Sequence, residues 1–203
     1  LAHIETQFHH LIRTIPGNGT IISNGADSNL ERVLTRGCWS TLQRFSPDDK
    51  YEWQVELLKP DGSELRFFYQ QQPVGRLEWD HCGNHNAMNA CSAIAASVAA
   101  GLPAATAIEA LSSFSGVKRR MEEIARVEHI HVYDDFAHHP TAIRLTLEGL
   151  RRKVGNARIR VALEPRSNTM RAGVHADELV PALMAADHVW LKTPDGIDWD
   201  PKV

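Results

Sequence analysis

Apolar residues recur three or four apart over residues 83–101. Met88, Cys91, Ala95 and Val98 share one face, which predicts a helix that Gly101 closes. Pro103 suits the first turn of a second helix over about 103–114. A third is predicted over 140–154, where Ile143, Leu147, Leu150 and Val154 line up. Arg151, Arg152 and Lys153 fall in its last turn, where cations suit the helix dipole, and Gly155 ends it. HADELVPALMAA (175–186) reads as a fourth. Short β-branched runs separate these helices: HIHVYDD (129–135), RIRVALEP (158–165) and HVWLK (188–192). The order β-α-β-α-β predicts a parallel sheet with right-handed crossovers.

The first eighty residues are mixed. QFHHLIRTIP (7–16) reads as the end of a helix, closed by Pro16 and Gly17. TIISN (20–24) is a strand stopped at Asn24-Gly25. SNLERVLTRG (28–37) is a short helix with Ser28 as N-cap and Gly37 past its last turn. YEWQVELLK, ELRFFYQQ and VGRLEWD predict an antiparallel meander, turning at Pro60-Asp61-Gly62 and again at Gln72-Pro73. The change of character near residue 117 predicts two domains, 1–117 and 118–203. The fold class is α/β: a mixed sheet with antiparallel strands and helices, followed by a parallel sheet.

Composition narrows the function. The chain has 203 residues, enough for one domain or two small ones. Lys+Arg is 22 against Asp+Glu 25, a net charge of −3, which argues against a broad nucleic-acid surface. The uncharged run 86–108 is long enough to span a bilayer. It is mostly Ala, Ser and Asn, broken by Gly101 and Pro103, so buried soluble helices are expected and no membrane span. The start, LAHIETQFHH, lacks the pattern of a signal peptide and reads as a beginning inside a helix, as in a fragment. Three cysteines in no metal-ligand spacing suit a reducing, cytoplasmic setting.

Four polar constellations carry candidate chemistry. His85, Asn86 and Asn89 fall at the start of the 83–101 helix, where amides and an imidazole can read a purine edge or simply cap the helix. Asp134-Asp135 and His138-His139 follow a strand, where a carboxylate can accept ribose hydroxyls. His129-x-His131 with the Asp pair also reads as a metal-ligand set. Arg119-Arg120 before Glu122-Glu123 is either a phosphate-binding arginine pair or a solvated charge run. Arg166, Ser167, Asn168, Thr169 and Arg171 form a polar loop able to hold a carboxylate-bearing substrate, or a loop fixed by its own Asx or Ser turn. No G-x-x-x-x-G-K-[ST] cradle for ATP phosphates occurs anywhere.

The order GNHNAMN, GVKRRME, YDDFAHHPT, LEPRSNT resembles the Mur ligases, the ATP-dependent amide-bond ligases of peptidoglycan synthesis. DDFAHHPTAI with LEPRSNTMR is most similar to members that join UDP-N-acetylmuramate to the recycled tripeptide L-alanyl-γ-D-glutamyl-meso-diaminopimelate. The resemblance implies that 1–117 is the later part of a P-loop-type central ATPase domain. Residues 118–203 would be the first part of a Rossmann-like C-terminal domain. It implies ATP and Mg²⁺ as cofactors, with the metal ligands outside this chain, and UDP-N-acetylmuramate and the murein tripeptide as substrates. His85, Asn86 and Asn89 would lie at adenine, Arg120 at the ATP phosphates, Asp135 at the ribose, and His138 near ribose and phosphates. Phe136 stands where many relatives have Tyr, leaving stacking or packing as its role. Arg166, Ser167, Asn168, Thr169 and Arg171 would hold the amino acceptor. Arg120 and His138 are the catalytic candidates, and the fragment alone is expected to be inactive. Two other readings remain: a metal-dependent hydrolase using His129, His131, Asp134 and Asp135, and a non-enzymatic nucleotide-binding module.

Overall fold

The structure, a computed structural model, describes residues 1–192 and Trp199. It divides into two compact units, Leu1–Asp80 with Asn84–Phe114, and His81–Gly83 with Ser115–Val203.

The first unit is built on a five-stranded sheet of order β1-β2-β3-β4-β5. β1 (Thr20–Asn24), β2 (Thr41–Ser46) and β3 (Trp53–Leu57) run parallel, and β4 (Glu64–Tyr69) and β5 (Gln72–Glu78) continue antiparallel. The meander is as expected, but β2 was not: TLQRFS has no clean alternation and no turn signal before it. The second turn also lies elsewhere. Gln70 and Gln71 take φ of 49° and 65°, the left-handed pair of a two-residue hairpin, and Pro73 sits inside β5. Proline is tolerated there because β5 is the sheet edge.

One face of this sheet is apolar. Trp53 and Val55, Leu65 and Phe67, and Leu77 are spaced by two, and all are fully buried. α3 (Asn84–Ala99) and α4 (Ala104–Ser112) cover them with Ala87, Cys91, Ile94, Ala95 and Ile108. Small side chains on α3 bring its backbone close to the aromatic layer. At Gly75 a Cβ would lie 2.6 Å from Ile108 Cδ1, so glycine is what lets α4 close on β5. Burial pushes the Cys91 thiol up to about 12, which makes it a core residue.

α1 (Ala2–Thr14) and α2 (Ser28–Thr35) are joined by buried Glu5, which pairs with Arg32 at 2.7 Å and Arg36 at 3.0 Å. The cap of α2 is Asp27 and not Ser28. Asp27 Oδ1 accepts from the amides of Asn29 (2.8 Å) and Leu30 (3.3 Å), and Ser28 is the first helical residue.

The second unit departs from the expected single parallel sheet. β6 (Glu122–Val127) and β7 (Ile130–Asp134) form an antiparallel hairpin, while β8 (Arg160–Leu163) and β9 (His188–Leu191) form a separate parallel pair. Glu122-Glu123 is thus the start of a strand, and Glu123 on it is exposed to solvent. The turn at Glu128, with φ 53°, is tight enough to bring β6 onto β7 before any helix intervenes.

α5 (Pro140–Val154) has the predicted bounds, with α6 (Asn168–Arg171) and α7 (Ala176–Leu183) following. Ile143, Leu147, Ile159, Met170, Leu179 and Ala182 form the core. Arg151 acts across the fold as well as along its helix. It donates to the carbonyl of Ala185 at 3.0 Å and pairs with Asp187 at 2.6 Å. Asp187 also accepts the Ile159 amide at 2.7 Å. That amide bond, then Arg151, holds its carboxyl below the usual aspartate range. At Gly149 a Cβ would meet the Gly83 backbone at 3.0 Å, so α5 approaches that segment without a side chain between. Among the described residues no helix is long and apolar enough to cross a membrane.

Candidate functional site

In the first unit the candidates lie at the start of α3. Gly83, with φ 93°, turns the chain into the helix. His85 and Asn86 are half-buried in its first turn, and Asn89 is exposed one turn on. Positions three and four apart share a face, so these side chains project together at the helix N-terminus. This arrangement offers donors and acceptors to a planar polar ligand.

In the second unit the candidates converge on Phe136, which follows β7 and is about half exposed. Arg119 lies over its ring at 5.1 Å and Arg120 at 5.9 Å, while the His138 ring meets it edge-on at 5.0 Å. The two arginines are not equivalent. Arg119 Nε pairs with Asp134 at 3.2 Å, its amide donates to Glu122 at 2.8 Å, and its carbonyl accepts the Phe136 amide at 2.8 Å. Among the described residues no carboxylate pairs with Arg120. One guanidinium is committed to the fold and the other is available to an anion.

Asp135 organises this cluster. Its Oδ2 accepts the Met121 amide at 2.8 Å and its Oδ1 the Ala137 amide at 2.7 Å. These bonds help hold Arg119 and Met121 in the left-handed region, with φ of 60° and 50°, an uncommon backbone for side chains of that size. A carboxylate has about four lone-pair sites, so Asp135 can still accept from a ligand hydroxyl. The neighbouring histidines take opposite tautomers. The Phe136 carbonyl can only accept, so His138 carries its proton on Nδ1, 3.0 Å away. The Thr141 amide can only donate, so Nδ1 of His139 is bare, at 3.2 Å.

The third group follows β8. Arg166 Nε pairs with Glu164 at 2.9 Å, and Glu164 also takes Lys192 at 2.9 Å. The Lys192 hydrogen bond, with Arg166, holds the Glu164 carboxyl below its ordinary range. Ser167 caps α6 through the Met170 amide at 3.3 Å and meets the Thr169 hydroxyl at 3.2 Å. Asn168, Thr169 and Arg171 are on α6, so the expected loop is a capped helical turn. It stands at the carboxyl end of β8, the end where open α/β sheets bind ligands.

The metal reading does not assemble. His131 Nδ1 is 3.0 Å from Glu123 Oε2, while His129 is an exposed turn residue. Asp134 and Asp135 are engaged by Arg119 and by backbone amides. Among the described residues no three His, Cys, Asp or Glu side chains converge on one point.

The sequence marks Arg119 and His139 as members of candidate clusters but gives neither its own role. Arg119 is closer to Phe136 than Arg120 is, and the pairing of Arg119-Arg120 with Asp134-Asp135 across a hairpin was the available signal. His139 has a defined capping role, which its place directly before Pro140 signalled.

The Mur ligase glutamate ligase domain matches residues 119–201. Over 201 residues, 98% of this chain, the sequence is 44% identical to the UDP-N-acetylmuramate:L-alanyl-gamma-D-glutamyl-meso-2,6-diaminoheptandioate ligase of Haemophilus influenzae. Residues 119–201 belong to the Mur ligase glutamate ligase domain family, and the whole chain is similar to Mur ligases. The Escherichia coli ligase of the same name is also 44% identical over 98% of this chain. The crystal structure of a murein peptide ligase from Psychrobacter arcticus superposes with a TM-score of 0.68 at 44% identity, over 97% of this chain and 42% of that one. The UDP-N-acetylmuramate-alanine ligase of Thermotoga maritima shares the fold, at 24% identity and TM-score 0.68 over 85% of this chain and 37% of that one. This chain spans 44% of the Haemophilus protein and 43% of the Escherichia coli protein.

Proposed function

We propose that this chain serves an ATP-dependent, ADP-forming ligase of peptidoglycan recycling. That ligase joins UDP-N-acetylmuramate to L-alanyl-γ-D-glutamyl-meso-diaminopimelate in the cytoplasm. The observation that carries the reading is 44% identity along 98% of the chain to two relatives named for that joining. The Phe136 cluster supports it, with one unpaired guanidinium beside a carboxylate and an imidazole.

In this reading residues 1–117 belong to a central ATP-binding domain and 118–203 to the start of a C-terminal domain. His85, Asn86 and Asn89 meet adenine, Asp135 accepts ribose hydroxyls, and Phe136 packs against the nucleoside. Arg120 neutralises charge developing on the transferred phosphoryl group, with His138 beside it. Arg166, Ser167, Asn168, Thr169 and Arg171 orient the tripeptide through its carboxylates. The lactyl carboxylate takes the γ-phosphoryl group of ATP to give an acyl phosphate and ADP. The tripeptide amine then attacks that carbonyl, loses its proton, and expels phosphate. The 203 residues contain no P-loop, so neither magnesium nor the triphosphate cradle is assigned to them.

The test uses a chain completed to the length of the relatives, assayed for ATP-dependent joining with the tripeptide and with L-alanine in competition. Joining of the tripeptide in preference to L-alanine is expected. Use of L-alanine alone would discard the acceptor, and joining of neither would discard the activity. Arg120→Ala in that protein should lower kcat by about a hundredfold or more. Arg119→Ala should act first on stability, since its partners are all within the fold.

A further inference from the structure

Two histidines that the proposed reaction does not use join its two ligand-bearing segments. His139 ends the segment 135–138 and is the N-cap of α5, accepting the Thr141 amide on Nδ1 and the Ile143 amide on its carbonyl, at 3.2 and 3.0 Å. His175 ends the segment that begins at Arg166 and stands at the N-cap position of α7. The two rings meet edge-on, with centroids 4.5 Å apart and planes at 63°. The contact links residues 36 apart in sequence, and the His139 ring is fixed by the cap of α5 while His175 stands at the start of α7 without a side-chain cap bond. Nδ1 of His175 is buried and has no hydrogen-bond partner among the described residues. Among the described residues, the carboxylate beside it is that of Glu178, with Oε1 3.9 Å away. Among the described residues, the ring of His175 makes its aromatic contact with His139.

We propose that the His139–His175 ring pair is a latch that couples the nucleotide segment to the acceptor segment. His139 is then a positioning residue for the acceptor although it lies in the nucleotide segment. This rests on the assignment of the two segments made above. The physical basis is stiffness: a ring held by a helix cap transmits displacement of residues 135–138 to His175, and through the tight turn at Gly173 (φ 69°) to α6. The nucleotide contacts of Asp135 are insulated, because that carboxylate is held by the Met121 and Ala137 amides independently of His139.

The test separates capping from ring contact. Asparagine is an N-cap as good as any, so His139→Asn keeps the Thr141 bond and removes the ring. His139→Ala removes both. In the completed ligase, His139→Asn is expected to raise KM for the tripeptide about three- to tenfold and leave KM for ATP within about twofold. His175→Asn should match it, and the double variant should be no worse than the worse single one. A rise in KM for ATP alone, equal rises in both, no rise, or additive single effects would overturn the latch. The idea survives separately from the ligase reading through a second measurement on this 203-residue chain. Amide hydrogen exchange at 168–176 should quicken in His139→Asn while exchange at Met121 and Ala137 stays unchanged. Unchanged exchange at 168–176 would overturn the latch whatever the enzyme does, and wild-type inactivity with quickened exchange would overturn only the reaction.

Discussion

The two units invest their apolar residues differently. In the first, Trp53, Val55, Leu65, Phe67 and Leu77 are all at 0–1% exposure under two helices. In the second, the hairpin leaves Ile124, Val127, Ile130 and Val132 at 41–62% exposure, and among the described residues the buried core is aliphatic side chains and Met170, with only the partly buried Trp199 as an aromatic ring against it. Yet the second unit carries the Phe136 cluster and the 166–171 segment. A densely packed layer can hold one helix end, with His85 and Asn86, at a fixed place. Strand-end segments over a small core are held by hydrogen bonds to carboxylates instead: Asp135 to two amides, and Asp187 to an amide and a guanidinium. Polar restraint leaves side chains such as Arg120 accessible to a ligand.

The sharpest way to break this comparison is to empty each core. Phe67→Ala should destabilise the first unit by about 3–5 kcal/mol, read from the denaturant midpoint of Trp53 and Trp79 fluorescence. Leu147→Ala should cost the second unit less, about 2–3 kcal/mol, read from amide exchange along α5. Equal losses would mean that the second core is packed as tightly as the first. Asp27→Ala removes the cap of α2 and should cost about 1 kcal/mol, with Asp27→Asn restoring most of it.

The smallest effect is one of pH. Asp187 has its carboxyl lowered in the folded state, so it adds stability above its unfolded value near 3.8. That contribution fades as pH falls below 3.8 through the lowered folded value. Asp187→Asn should therefore flatten the acid side of a Tm-against-pH curve for the second unit and leave the first unit unchanged. Asp61 provides the control in the first unit. Partial burial raises it, but the amide and hydroxyl of Ser63 bring it below its usual range at the β3–β4 turn. Asp61→Asn should flatten only the first unit's curve.

Local signals decided a large part of the molecule in advance. α5 has the bounds that its apolar face, Pro140 and Gly155 announce, and the β3–β4–β5 meander follows from alternation and the Pro60-Asp61-Gly62 turn. These features need only neighbours within a turn or a hairpin. The membership of Arg120, Asp135, Phe136 and His138 in one cluster was legible only in part. Their motifs are visible in sequence, but the stacking of Arg119 on Phe136 is not.

Tertiary structure alone decided the rest. A strand's backbone groups pair equally well with any strand brought alongside, so no local pattern says that β7 takes β6 and leaves β8 to β9. The commitment of Arg119 and the availability of Arg120 depend on a hairpin register. The meeting of His139 with His175 depends on how α5 packs on α7. Residue types and local periods were set by the sequence one turn at a time. Which of those residues touch was set by burial, summed over segments far apart in the chain.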